Sequence, residues 1–139
     1  MDINLLAVLA ATVVQFIIGF VWYGPLFGGL WGKIHGFDKL SKEVQQKMMK
    51  EMGPYYGMQL VVTVITSGVL SWFVANPPAG WGVYTMAFLL WLGFIVPAQV
   101  SAVIFGGTDA KWIGPKIGVQ TGGALACIMA GTAVLTMML

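Results

Sequence analysis

The chain has 139 residues, room for one domain of ordinary size, with 58% hydrophobic residues, only 9% charged residues and a formal net charge of +2. A soluble domain carries about 25% charged residues, so this composition, with a mean hydropathy of +0.85, excludes a water-facing globular surface. The absence of arginine and of a clustered basic face argues against nucleic-acid binding, and the single cysteine, Cys127, excludes an intrachain disulfide or a CxxC metal or redox motif.

The start, Met1-Asp2-Ile3-Asn4, lacks a positive n-region, and the apolar stretch after it exceeds a signal-peptide core. A retained helix is expected there. A membrane span needs about 20 mainly apolar residues. Four segments qualify, at about 3–23, 55–74, 81–105 and 117–139, and none contains Asp, Glu, Lys, Arg or His. Trp22-Tyr23-Gly24-Pro25 closes the first, because proline lacks a backbone donor and restricts the residue before it. Asn76-Pro77-Pro78-Ala79-Gly80 is a tight turn between the second and third, and Gly106-Gly107-Thr108-Asp109 opens the last connection.

Between the first two spans, Leu40, Val44, Met48 and Met52 recur every four residues, with charged residues on the other faces. This predicts an amphipathic helix over about 39–52, capped by Asp38 or Ser41 and ended by Gly53-Pro54. It either lies on the inner leaflet or packs on the ends of the bundle.

All seven lysines fall in two connections: Lys33, Lys39, Lys42, Lys47 and Lys50 in the first, Lys111 and Lys116 in the third. With four spans, these connections share one side of the membrane. The positive-inside rule assigns that side to the cytoplasm and both termini to the outside. Trp22, Tyr23, Trp31, Tyr55, Tyr56 and Trp112 then fall near the inner interface, and Trp72, Trp81 and Tyr84 near the outer one, where aromatic rings collect. Trp91 lies deep.

The chain also repeats itself. Phe16-Ile17-Ile18, Leu26-Phe27-Gly28-Gly29 and Lys33 recur 78 positions later as Phe94-Ile95-Val96, Ile104-Phe105-Gly106-Gly107 and Lys111. The pattern GPxxGxQ at Gly53–Gln59 recurs 61 positions later at Gly114–Gln120. The two offsets differ by 17, which matches an amphipathic helix inserted in the first copy. The expected fold is therefore all-α and integral to the membrane. It has four transmembrane helices as two tandem hairpins, related by a pseudo-two-fold axis along the membrane normal. A short cytoplasmic amphipathic helix completes it.

Each span carries one glutamine: Gln15, Gln59, Gln99 and Gln120. Gln15 is the deepest, about 12 Å from Tyr23 at the helical rise. Unpaired amides are costly in hydrocarbon, so these four are expected to face one another, water or a ligand. Thr63, Ser67 and Ser71 continue a polar stripe from Gln59. Small residues line the first span (Ala7, Ala11, Gly19) and the fourth (Gly118, Gly122, Ala126, Ala130), and such faces permit close helix approach. Two readings follow: a polar cavity open to the cytoplasm, or hydrogen bonds that hold the bundle. Pro97 leaves the carbonyl of Gly93 without its helical donor and predicts a kink. His35 is a lone loop histidine and Cys127 sits among small residues, so neither points to a metal, and no cofactor is expected.

The pattern Asn4-Leu5-Leu6-Ala7, then Trp22-Tyr23-Gly24-Pro25-Leu26-Phe27-Gly28 and Trp31, resembles domain-of-unknown-function family 1761. Trp91-Leu92-Gly93-Phe94, Pro97, Ser101 and Phe105-Gly106-Gly107 resemble its second half. The resemblance spans nearly the whole chain. It implies a four-span protein of the bacterial inner membrane and carries over no activity and no catalytic residue.

Three functions are weighed. The leading one is a non-enzymatic oligomeric or accessory membrane component, in contact with membrane lipids, as a homo-oligomer or with a protein partner. The alternative is a transporter or channel for a small neutral or lipophilic solute; the absence of intramembrane carboxylates argues against proton-coupled antiport. A lipid-directed enzyme ranks last, since only Asp109, Glu51, His35 and the lysines offer acid–base or nucleophilic groups.

Overall fold

The computed structural model of the chain describes residues 2–139, and these are helical without a strand. Helix α1 runs Leu5–Val21 and starts at Asn4, whose Oδ1 accepts the Ala7 N–H at 3.1 Å. It continues through Trp22–Leu26 as a π-turn, in which the Phe27 N–H reaches back five residues to the Trp22 carbonyl at 2.9 Å. Pro25 has no N–H to give the carbonyl of Val21, and the wider turn follows this lost bond.

The first connection holds a short helix that periodicity did not reveal, α2 (Gly28–Ile34), and a 3-10 turn at Phe37–Lys39. Helix α3 follows at Lys42–Glu51, capped by Ser41 through its hydroxyl and the Val44 N–H. Its apolar stripe stays uncovered: Val44, Met48 and Met49 are all exposed. Gly53-Pro54 does not merely end α3. It opens α4 (Gly53–Ala75), with proline in the first turn, where a missing donor costs no helical bond.

Gly80 adopts φ +81° and the Trp81 N–H closes the turn on Pro78 O at 2.9 Å. Glycine takes this left-handed conformation without a Cβ clash. The third span comprises α5 (Val83–Leu90), a second π-turn at Trp91–Ile95 and α6 (Val96–Phe105). Here the Val96 N–H bonds to Trp91 O, and the turn lies just before Pro97 and includes Gly93. Helix α7 (Ala110–Met138) begins well before the apolar segment and carries Pro115 in its second turn.

Four helices are long and apolar enough to cross a membrane: Leu5–Leu26, Gly53–Ala75, Val83–Phe105 and Ala110–Met138. Helix α7 is the hub, packed by α1, α4, α5 and α6. The aliphatic core joins Ala7 and Ala11 of α1, Leu70 and Val74 of α4, Met86 and Ala87 of α5, and Ile128 and Leu135 of α7. Packing is unequal between the hairpins. Helix α1 lies along α7, whereas α4 and α5 touch at few points. The third span is peripheral, with 6% of its apolar window buried against 28–33% for the other three.

The ends of the bundle differ in chemistry. At one end Lys33 and Lys39 of the first connection share a cleft with Lys111 and Lys116 of the third. At the other, Asp2, Asn76 and Leu139 line a common hollow, so both ends of the described chain lie opposite the lysines.

Candidate intramembrane polar site

Helix α1 presents Ala7, Ala11 and Gln15 at four-residue steps, all buried, and α4 presents Thr63, Ser67 and Ser71 in the same way. Two small alanines let α4 and α7 approach closely enough for the Gln15 amide to bridge. Its Nε2 donates to Ser67 Oγ at 2.8 Å and to the Ala11 carbonyl at 3.3 Å. Helix α7 closes the third side at Gly131, where a Cβ would stand 2.8 Å from Gln15 Nε2. The Cys127 thiol lies 3.5 Å from the Gln15 carbonyl as a weak donor.

The other predicted polar residues are dispersed. Gln59 is exposed and bonds within its own helix: its carbonyl accepts from Thr63 Oγ1 at 2.7 Å, and its Nε2 reaches the same hydroxyl at 3.4 Å. Gln99 is half-buried, with Oε1 shielded and lacking a partner. Gln120 is half-buried. Hydrogen bonds thus join Gln15 to Ser67 and Gln59 to Thr63. Among the described residues none links these pairs to Gln99 or Gln120. Thr12, Thr121 and Thr132 are buried and each donates to the carbonyl four residues earlier, at 2.7–2.8 Å. Such hydroxyls add no open polarity to the interior.

A second group of contacts was not legible from residue type. Trp22 and Trp91 each open a π-turn, and each indole Nε1 donates to a carbonyl of α7, Val119 and Thr121 respectively, at 2.8 Å. Gly122 and Gly123 form the seat of Trp22: a Cβ at Gly123 would meet the indole at 2.9 Å, and one at Gly122 would meet it at 3.1 Å. Residue type and position place Trp22 at the interface level and do not reveal this contact. The available signal was the shared Trp-x-Gly of Trp22-Tyr23-Gly24 and Trp91-Leu92-Gly93, which falls outside the 78-residue register of the repeat.

Chemically, this arrangement joins helices through the Gln15 amide and the Trp22 and Trp91 indoles, while Gln99 Oε1 stays without a partner. It defines a helical protein with four helices long and apolar enough to cross a membrane, in which one hub helix is gripped by polar contacts from its neighbours. The chain belongs to the family described as protein of unknown function DUF1761, whose model matches residues 6–138, so the resemblance carried by Trp22–Gly28 identifies it correctly. No curated protein and no solved structure matches the chain.

Proposed function

We propose that the protein is a non-enzymatic, oligomeric component of the bacterial inner membrane, with its lysine-bearing end in the cytoplasm and both termini outside. The observation that carries this reading is the third span. It is nearly uncovered in the single chain, and its exposed surface is not uniformly bulky. Gly93, Pro97 and Ser101 lie exposed at four-residue steps, with Ala98 and Ala102 beside them. Lipid tails need no such surface, whereas small residues and a serine let a second helix approach and bond. The satisfied Gln15–Ser67 pair supports the same view, since it fills the interior that a solute path through one chain needs.

Two finer features belong to this proposal. The uncovered apolar stripe of α3, flanked by lysines, suits a helix lying on the cytoplasmic leaflet. The two hairpins descend from one duplicated unit, as their matching motifs suggest, and have diverged in packing: the glycines of α7 admit Trp22 and Gln15 on the α1 side.

Native mass spectrometry of the full chain from mild detergent tests the oligomer. Wild type is expected as a defined multimer, and Gly93→Leu with Ser101→Leu as a monomer of unchanged helicity. A wild-type monomer in both detergent and nanodiscs sinks the reading. A transporter or channel for a small neutral solute is the second reading, favoured by the orphaned Gln99 Oε1. Under it, Gln99→Leu abolishes solute flux in liposomes while the protein still folds.

A further inference from the structure

The lysine end of the bundle holds a feature that neither the polar core nor the oligomer reading uses. A cleft of about 330 Å³ opens between the first and third connections. Its walls carry four lysines, Lys33, Lys39, Lys111 and Lys116, together with His35, against one carboxylate, Asp109. These lysines come from segments nearly 80 positions apart in the chain, and only the folded bundle brings them together. The cleft's size sits at the lower end of the range of small-molecule sites, about 300–1,000 Å³.

The remaining lining also suits an anion. Gly106, Gly107 and Thr108 lead directly into α7, the longest helix, and the Asp109 side chain forms no capping bond to it. The first-turn N–H groups of α7 therefore lack a side-chain acceptor at the positive end of the helix dipole. Gly107 takes φ +75°, which turns the loop at this point. The Thr108 hydroxyl is shielded from solvent and has no partner. Two of the lysines are held beside aromatic rings, Lys116 Nζ at 5.9 Å from the centroid of Trp31 and Lys111 Nζ at 5.6 Å from that of Trp112. Lysine is a point-charge phosphate binder and does not need the bidentate geometry of arginine, which this chain lacks.

We infer that this cleft binds a phosphate-bearing anion, either the headgroup of an anionic phospholipid or free phosphate. The cleft lies where the third span ends and α7 begins, across from the first connection. Phe105, 87% exposed, and Ile104, 50% exposed, immediately precede the Gly106–Asp109 loop on the side where an acyl chain would lie.

The test uses the full chain in two arms. In the first, nanodiscs of three parts phosphatidylcholine to one part phosphatidylglycerol are followed by native mass spectrometry of retained lipid. In the second, inorganic phosphate is titrated into the chain in phosphatidylcholine nanodiscs, with calorimetric readout. Lys111→Gln with Lys116→Gln removes half of the cleft's lysines, and Lys33→Gln with Lys39→Gln is an independent second pair. Lys47→Gln with Lys50→Gln makes the same charge change on α3, outside the cleft. Either cleft pair is expected to weaken binding at least about tenfold, and the α3 pair less than about twofold. Selective retention of phosphatidylglycerol identifies a lipid headgroup; saturable phosphate binding without lipid preference identifies free phosphate. Equal behaviour of the cleft and α3 pairs in both arms, or binding in neither, overturns the inference. Retained lipid is counted per chain, so the result does not depend on the oligomer.

Discussion

Two glycines on the same helix should respond to alanine in opposite directions, because of what stands opposite each. At Gly123 a new Cβ falls 2.9 Å from both Cδ1 and Nε1 of Trp22 and 3.3 Å from Cγ. The indole cannot simply swing aside, because its Nε1 is bonded to the Val119 carbonyl at 2.8 Å. Overpacking a filled site costs about 1–3 kcal/mol, and giving up the indole bond adds about 1 kcal/mol. Gly123→Ala should therefore destabilise by about 2–4 kcal/mol. At Gly118, one turn and a half earlier, nothing stands within 4 Å of the added carbon. There the only change is the gain in helix propensity, so Gly118→Ala should stabilise by about 0.5–1 kcal/mol. Reversible unfolding in mixed micelles, titrated with sodium dodecyl sulfate and followed by circular dichroism, measures both. Trp22→Phe should relieve most of the Gly123→Ala penalty, because the smaller ring leaves room and has no bond to lose. If Gly123→Ala matches Gly118→Ala, or if the penalty survives Trp22→Phe unchanged, the indole seat is not what constrains α7.

Other perturbations test the remaining contacts. A double-mutant cycle of Gln15→Leu and Ser67→Ala should return a coupling of about 0.6 kcal/mol, the average for interhelical bonds in a membrane, and at most about 1.7 kcal/mol; additive losses would mean that the 2.8 Å bond does not operate in the bilayer. Trp91→Phe keeps most of the ring but loses the bond to Thr121 O, and a loss of about 1 kcal/mol in the same unfolding assay is expected. Gly107→Ala places a Cβ at φ +75° and should cost about 1–2 kcal/mol with no change in helicity. For orientation, with Cys127→Ser as background, a membrane-impermeant maleimide should label Asn76→Cys in intact cells and Lys47→Cys only after lysis; the reverse pattern inverts the proposed topology.

Much of the architecture was legible because it depends on one-dimensional quantities. Four long apolar runs without a charge predict four helices that can cross a bilayer, since a helix satisfies its own backbone there. Small and hydroxyl residues at four-residue steps on α1 and α4 marked faces that are buried at Ala7, Ala11 and Gln15 and at Thr63, Ser67 and Ser71, whereas Gly19 at the end of the first stripe is half-buried and Gln59 at the start of the second is exposed. The same rule was less informative on α7. Its stripe of Gly118, Gly122, Ala126 and Ala130 is exposed or half-buried, while Gly123, Ile128, Gly131, Thr132 and Leu135 are buried. A helix contacted on several sides has no single apolar face, so periodicity cannot select one. Helix α2 is not legible for a related reason: Gly-Gly-Leu-Trp-Gly-Lys-Ile, with three glycines in seven residues, has low helix propensity.

Residue order alone gives four apolar segments long enough to cross a bilayer, lysines confined to two connections, and membership of a recognisable family. Those properties follow from hydrophobic run length and charge placement, which are sums over residues and need no partner. Tertiary structure decided which polar groups meet. Gln15 finds Ser67 across 52 residues, Trp22 and Trp91 reach carbonyls of α7, and Gln59 stays on its own helix. It also gathered four lysines from two distant segments, the first connection and the first turns of α7, around one cleft. Each of these outcomes depends on the rotation of one helix against another, which short-range packing at a few glycines sets and no linear pattern encodes.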